Sequence, residues 1–373
     1  MTRPHLFTPL TLRGLTLKNR IVVSPMCQYK ALDGATHDWH VMHHAKFAMG
    51  GAGLGFVEAT AVAREGRITH GCTGLYLDEH VPGLRRIADL YHSYGAAAGI
   101  QIGHAGRRAS CARPWEGAAP LANGGPDAAW QTVGPSAVPE KDGYPAPREL
   151  SAREIPGIVD AFVAAAKRAL LAGFDVAEIH GAHGYLIHSF LSPVSNRRED
   201  AYGGSLEKRM RFPLEVAEAM RAAWPDDKPL FYRTSAVDGV ENGVTIEDTV
   251  ALARALKARG VDVVDCSMGG MSGAATLSTR KINQGYIVPY ADEVRRETGI
   301  ATMAVGAIMD PAYAESVLAD GKADLIAIGR ELLANPSWPY RAALELGLEE
   351  PDSVLPMEYG FYLSRRAKAL AAD

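Results

Sequence analysis

Four cysteines are all that this chain of 373 residues carries, and Cys27, Cys72, Cys111 and Cys266 stand far apart. Without a C-x-x-C pair, a structural zinc or iron–sulfur site is not expected, and scattered thiols suit a cytoplasmic chain. No run of about 18 apolar residues occurs, so no membrane span and no membrane partner are expected. The opening MTRPHLFTPL lacks the apolar core of a signal peptide. Neither sign of charge dominates: 39 Lys and Arg stand against 43 Asp and Glu, a net charge of −4, which gives no footprint for nucleic acid. A G-x-G-x-x-G after the first apolar run is also missing, which weakens a doubly wound dinucleotide fold.

What is there is a repeat of short, β-rich apolar runs: IVVSPM (21–26), LGFVEATAV (54–62), AAGIQIGH (97–104), VAEIHGAH (176–183), LFYRTSA (230–236), VDVVDCSM (261–268), ATMAVGAI (301–308) and DLIAIGR (324–330). Near-continuous apolar runs are what parallel strands look like when both faces are buried. Amphipathic segments follow most of them. In SAREIPGIVDAFVAAAKRALLAG, Ile155, Ile158, Val159, Phe162, Ala166, Ala169 and Leu170 recur at three- and four-residue steps. Ser151 and Glu154 have capping-box spacing and Gly173 is placed as a stop. Eight strand–helix units predict an α/β fold, one (β/α)₈ TIM barrel spanning 1–373. Residues 6–20 read as an N-terminal β-hairpin turning at Arg13-Gly14, a plug for the barrel bottom. Residues 105–150, rich in Pro and Gly, form a long loop after strand three, read as a lid over the active-site face.

In such a barrel the chemistry sits at the C-terminal ends of the strands. Strand one ends in Ser24, Pro25, Met26 and Cys27, with Tyr29 beyond; strand two offers Glu58, Ala59 and Thr60; strand three Gln101 and His104. Strand five offers Arg233, strand seven Gly306, and strand eight Gly329 and Arg330, a glycine-and-guanidinium pair suited to phosphate. Strand four ends in EIHGAHGYL, residues 178–186. His180 and His183 there admit three readings: a metal pair, satisfied core histidines, or two donors aimed at one carbonyl or nitro oxygen. Tyr185 could then deliver a proton. A second cluster, THDWHVMHHA (36–45), puts His37, His40 and His44 on one face and reads as a solvated first helix.

Taken together, LFTPLTLRGLTLKNRIVVSPMCQY, QIGHAGRRA, WQTVGPSAVP, GFDVAEIHGAHGYLIHSFLSPVSNRREDAYGGSLEKRMRF and LIAIGRELLANP resemble the Old Yellow Enzyme family, from Leu6 to Tyr362. Cys27 and the histidine pair place the chain with its thermophilic-like, or xenobiotic-reductase-like, class. The resemblance implies an FMN-dependent ene-reductase that takes hydride from NADPH or NADH. Flavin N5 would pass that hydride to the β-carbon of an α,β-unsaturated carbonyl, and Tyr185 would protonate the α-carbon.

It also implies roles. Ser24, Pro25, Met26 and Cys27 would line the flavin, Ala59 would allow close approach, and Gln101 would bond the pyrimidine edge. Arg233 would lie near N1, and Gly306, Gly329 and Arg330 would hold the phosphate. His180 and His183 would grip the substrate oxygen, and Cys27 would tune the flavin. Tyr29 would bond substrate, and Tyr362, with Tyr359 and Phe361, would take the part that relatives give to a C-terminal Arg or Trp entering the neighbouring subunit's site. Activated alkenes as substrates, phenols as ligands and a homo-oligomer, dimer or tetramer, follow as expectations. A nitroester or nitroaromatic reductase is the alternative on the same site, and a metal-dependent barrel hydrolase the competitor from another class. One departure stands out: the family's S-x-E-N-R reads Ser205-Leu206-Glu207-Lys208-Arg209 here, which touches local loop packing.

Overall fold

Each of the eight runs supplies one strand: β1 Ile21–Val23, β2 Leu54–Ala61, β3 Ala97–Gly103, β4 Val176–Gly181, β5 Leu230–Ser235, β6 Val263–Ser267, β7 Ala301–Ala304 and β8 Leu325–Ile328. The computed structural model describes residues 3–124, 128–271 and 282–370; residues 125–127 of the long loop and 371–373 of the tail lie outside them. Every strand pairs in parallel with the next, and β8 pairs with β1 through Ile326↔Ile21 and Ile328↔Val23, closing the barrel. Among the described residues seven longer helices return the chain between strands, α1 Asp38–Met49, α2 Val81–Ser93, α3 Ile155–Leu171, α4 Leu206–Ala223, α5 Ile246–Lys257, α6 Val288–Thr298 and α7 Pro311–Ala319, and a short one, Leu186–Leu191, follows the fourth strand. After β8 come a short helix, Arg330–Ala334, then α8 Trp338–Glu345 and α9 Met357–Leu370. Among the described residues no helix is long and apolar enough to cross a membrane.

The strands end earlier than the apolar runs. Ser24–Met26 and Val305–Ile308 leave the ladder and turn inward over the barrel mouth, where they line a cavity. The helix starts follow local hydrogen bonding. Ser151 and Glu154 bond each other, Ser151 N–H and Oγ reaching Glu154 Oε2 at 2.8 and 2.7 Å, but α3 begins only at Ile155, with Pro156 in its first turn. The box residues therefore form the turn before the helix. Ser205 caps α4 by accepting from the backbone N–H of Lys208 at 3.4 Å, a contact indifferent to that side chain.

The solvated reading of α1 is wrong. His40, His43 and His44 are buried, because the helix lays this face on the barrel, and His44 Nδ1 meets the Tyr91 hydroxyl at 2.9 Å. Only His37, the N-cap, stays near solvent.

Two apolar cores result. One fills the ring between strands and helices, around Phe47, Phe162, Phe212 and Trp338. The other fills the lower barrel interior with Val22, Leu54, Phe56, Val176, Phe231, Val263, Met303 and Leu325. The hairpin closes this end. Its strands Leu10–Leu12 and Leu15–Leu17 turn at Arg13-Gly14, and Leu17, 1% exposed, joins the inner core. Arg13 ties the turn down through Asp262 Oδ1 at 2.6 Å.

Leu17→Ala should therefore cost about 2–5 kcal/mol of stability, the usual range for emptying a packed leucine site. Urea unfolding checks it, and turnover of the folded fraction should be unaffected, since the plug lies at the opposite end from the cavity.

Candidate functional site

Above the lower core the barrel interior turns polar, strand by strand, at two-residue steps. β4 carries Val176, Glu178 and His180 on the inward side; β6 carries Val263, Asp265 and Ser267; β5 carries Phe231 and Arg233. Register aligns the polar rungs, pairing Gln101 with Glu178, His180 with Arg233, and Arg233 with Asp265. Period-two alternation alone sends these side chains the same way.

Of these, Gln101, His180, Arg233 and Ser267 reach a cavity of about 960 Å³. It brings together Ser24, Pro25, Met26, Cys27, Tyr29, Ala59, Gln101, His180, His183, Tyr185, Arg233, Gly306, Gly329 and Arg330. The loop after β3 reaches it through Arg108, Ala118, Glu140, Lys141 and Tyr144. Tyr362 is not among the lining residues; it sits on α9 and is 71% exposed. The residues missed from the sequence are Ser267, Arg108 and Glu140. Ser267 follows from counting two residues on from Asp265, but nothing local marks Arg108 and Glu140, which a distant loop delivers.

The turn at 182–185 is held in an unusual shape. His183 has φ +61° and Gly184 φ +75°. A side chain at Gly184 would put its Cβ 2.2 Å from the Gly270 carbonyl oxygen, so only glycine fits where the loop after β6 presses on the turn. Gly184 N–H donates to His188 Nδ1 at 2.8 Å, which leaves the ring proton on Nε2, 2.7 Å from Asp238 Oδ1. Burial pushes the Asp238 carboxyl up, but donors from His188, Val244 and Ser192 outweigh it and hold it below the ordinary range. Arg108 braces the other side, donating to the carbonyls of Gly270 and His183 and pairing with Glu140 at 3.1 Å.

The two imidazoles stand in series. Ala182 N–H donates to His180 Nδ1 at 3.3 Å, His180 Nε2 faces His183 Nδ1 at 3.4 Å, and His183 Nε2 meets Ser267 Oγ at 2.7 Å. With His180 Nδ1 accepting, its proton is on Nε2, and the polarity runs on to Ser267. Burial, reinforced by Arg233, drives both rings well below the ordinary histidine value, so they are neutral donors. The link between the rings is long for a hydrogen bond. Among the described residues no group of three His, Cys, Asp or Glu side chains could hold a metal ion.

Tyr185 packs edge-on to His180, with ring centres 4.8 Å apart, and Arg108 lies over its ring. Burial raises its hydroxyl, as it raises Tyr29, so both keep their protons. Burial and then Glu58 push the Cys27 thiol up, leaving it protonated against the Ala59 backbone and the Tyr29 hydroxyl. Such a thiol is a poor nucleophile.

At the floor, Arg233 bonds Ser24 Oγ at 3.3 Å and pairs with Asp265 at 3.2 Å. Gln101 donates to Glu178 Oε1 at 2.8 Å. At the far wall Gly306, with φ +118°, and Gly329 border Arg330. A Cβ at Gly329 would stand 3.6 Å from Met26 Sδ, so glycine keeps that wall open rather than preventing a clash.

The chain matches the model of the NADH:flavin oxidoreductase / NADH oxidase family over residues 5–349. It is 46% identical over 351 residues to an NADPH dehydrogenase of Geobacillus sp. (strain WCH70), covering 94% of this chain and 96% of that one. Among solved structures, morphinone reductase matches with TM-score 0.76 and 28% identity, over 92% of this chain and 90% of that one. A 2-naphthoyl-CoA reductase matches with TM-score 0.82 and 27% identity, over 94% of this chain but 53% of that one; this chain spans about half of its length.

Seven buried histidines give a pH signature. Burial lowers His40 and His104 to about 4 and His43 to about 3, lowers His80, and drives His44, His180 and His183 well below their ordinary 6.5. Between these values and 6.5 the unfolded chain binds more protons than the folded one, so stability is full above 6.5 and falls as pH drops. The raised carboxyls of Glu58, Glu178 and Asp265 act the other way, but the histidines outnumber them. Urea unfolding from pH 7 down to 4.5 should show a steady loss; a flat profile would mean that these rings are charged in the native state.

Proposed function

Because the chain belongs to the NADH:flavin oxidoreductase / NADH oxidase family, we propose that this NAD(P)H:flavin oxidoreductase, with FMN as its cofactor, is an ene-reductase acting on α,β-unsaturated carbonyl compounds. The observation that carries the reading is the meeting of two neutral histidines and a protonated tyrosine over one cavity whose floor holds Arg233.

The residues present fit the cofactor. Among the described residues the buried Arg233 Nε–H donates no hydrogen bond beyond its ion pair with Asp265, leaving the guanidinium to serve a polar edge above it. Ala59, Met26 and Cys27 give a small, soft wall suited to a flat ring, and Gly306, Gly329 and Arg330 would hold the phosphate. Gln101 would bond the ring's pyrimidine edge, and Ser24 and Pro25 would line it. Bound FMN would supply hydride chemistry, taking hydride from NADPH and giving it to the β-carbon of the alkene.

The protein's part is binding, polarising and protonating. His180 Nε2–H exchanges its long contact with His183 for the substrate oxygen, and His183 shares its Nε2–H between Ser267 and that oxygen. Neutral donors suit this task, since they stabilise a developing enolate without ionising first. Tyr185 keeps its proton until the α-carbon becomes basic. Tyr29 bonds the substrate side, and Cys27 acts by packing and polarisability rather than attack.

Purified protein should release about one FMN per chain on denaturation; FAD, or no flavin after reconstitution, would refute the cofactor assignment. His180→Ala and His183→Ala should each abolish the long-wavelength absorbance band given by para-substituted phenols and slow enone reduction by roughly a hundred- to a thousand-fold, about 3–4 kcal/mol. Tyr185→Phe should keep the band and quinone reduction while slowing enone turnover. If both histidine variants keep band and turnover, the oxygen-clamp role is wrong.

α9 exposes Tyr359, Phe361 and Tyr362. In the proposed homo-oligomer this aromatic face completes a neighbouring subunit's site. Removing residues from Tyr359 onward should raise the KM for alkenes; unchanged oligomer size together with unchanged kinetics would make the tail a surface appendage.

A further inference from the structure

Beneath the histidines, one rung deeper, two acids and one base are packed out of reach of water. Glu178 and Asp265 are 0% exposed and Arg233 is 7% exposed. The strands of Glu178 and Asp265 flank β5 on either side, and each carboxyl is a near neighbour of the other. Asp265 Oδ2 lies 3.2 Å from Arg233 Nε, and Glu178 Oε1 accepts from Gln101 Nε2 at 2.8 Å. Glu178 Oε2 and both oxygens of Asp265 have no hydrogen-bond donor among the described residues.

With both acids ionised, one negative charge would stay uncompensated in the barrel interior, which is strongly disfavoured. Two facing acceptors with no donor between them would add to the penalty. A single proton removes both problems: it leaves one carboxylate against one guanidinium and supplies the missing donor. The surroundings assign it. Asp265 is the acid that faces Arg233, whereas Glu178 takes only a neutral amide from Gln101. The other groups around the pair bring no compensating charge: Phe231 on β5, Met303 on β7 and, on β4, His180, which is neutral. Burial pushes the Glu178 carboxyl well above the usual range, and the neighbouring Asp265 adds to that.

We propose that Glu178 and Asp265 form a one-proton carboxyl pair, with Glu178 holding the proton and Asp265 the charge, that sets how much positive charge Arg233 presents to the flavin. Both are positioning residues, acting through Arg233 and Gln101. The single carboxylate tempers the guanidinium without cancelling it. A second carboxylate would cancel it and disfavour flavin reduction; loss of Asp265 would leave it bare and favour reduction. The inference rests on the flavin reading of Arg233, so its test has one arm with flavin and one without.

In the flavin-free protein at neutral pH, the infrared difference between wild type and Glu178→Gln should show the loss of a protonated-carboxyl C=O band that shifts in D₂O. Glu58→Gln identifies the band of Glu58, a further buried acid, which burial pushes up to about 8. In the FMN-loaded protein, Glu178→Gln replaces one neutral group by another of the same shape. It should change the ratio of affinities for reduced and oxidised flavin by less than roughly threefold. Asp265→Asn should raise that ratio tenfold or more, about 30 mV in the two-electron potential. Should Asp265→Asn fail to fold, the Glu178→Gln potential and the infrared arm decide. The proposal is overturned if Glu178→Gln loses no carboxyl band, or if it raises the potential as far as predicted for Asp265→Asn. If the protein binds no FMN, the flavin reading fails by itself, and the infrared result still upholds or overturns the proton assignment.

Discussion

The pairing of Ile326–Ile328 with Ile21–Val23 is the contact on which the rest depends. It joins the last strand to the first and leaves the sheet without an edge. Once closed, alternation along each strand becomes a distinction between barrel interior and helix-facing exterior. The interior then has a direction. Leu17, Phe56, Phe231 and Met303 fill its lower end, and Gln101, Glu178, His180, Arg233 and Asp265 fill the end above. The apolar plug below this polar layer keeps water from entering at the bottom, so its polar groups must satisfy one another.

Exclusion of water then governs the chemistry. It keeps His180 and His183 neutral, Tyr29 and Tyr185 protonated and Cys27 a thiol. Groups that would otherwise compete to ionise are held in the donor forms that the proposed ene-reduction requires. The same exclusion forces Glu178, Asp265 and Arg233 to balance their charge among themselves. Function and acid sensitivity share this cause: each buried neutral histidine that suits the site is also a proton acceptor gained on unfolding.

The shape of the site is held from outside the barrel. His188 and Asp238 fasten the turn that carries His183 and Gly184, and Gly270 abuts it so closely that neither glycine tolerates a side chain. Arg108 ties the same turn to the loop after β3 through Glu140. The left-handed backbone at His183 is thus maintained by three separate elements, as a strained conformation must be.

The barrel was legible in the sequence because strands buried on both faces must be apolar throughout, and eight such runs with helical segments between them have few other solutions. The residues at the strand ends were legible for the same reason: a barrel fixes which end of each strand meets the cavity, so Cys27, Gln101, His180 and Arg233 could be named without coordinates. Local pattern failed where distant packing decides. His40, His43 and His44 have the polarity of a solvated face, yet α1 buries them against the sheet. Arg108 and Glu140 belong to a loop without periodicity, and only the folded chain brings them to Tyr185 and Gly270. The series order of His180, His183 and Ser267, and the meeting of Glu178 with Asp265, depend on register between separate strands. A sequence sets which residues alternate inward along a strand; only closure of the barrel sets which of them stand side by side, and so which must share a proton.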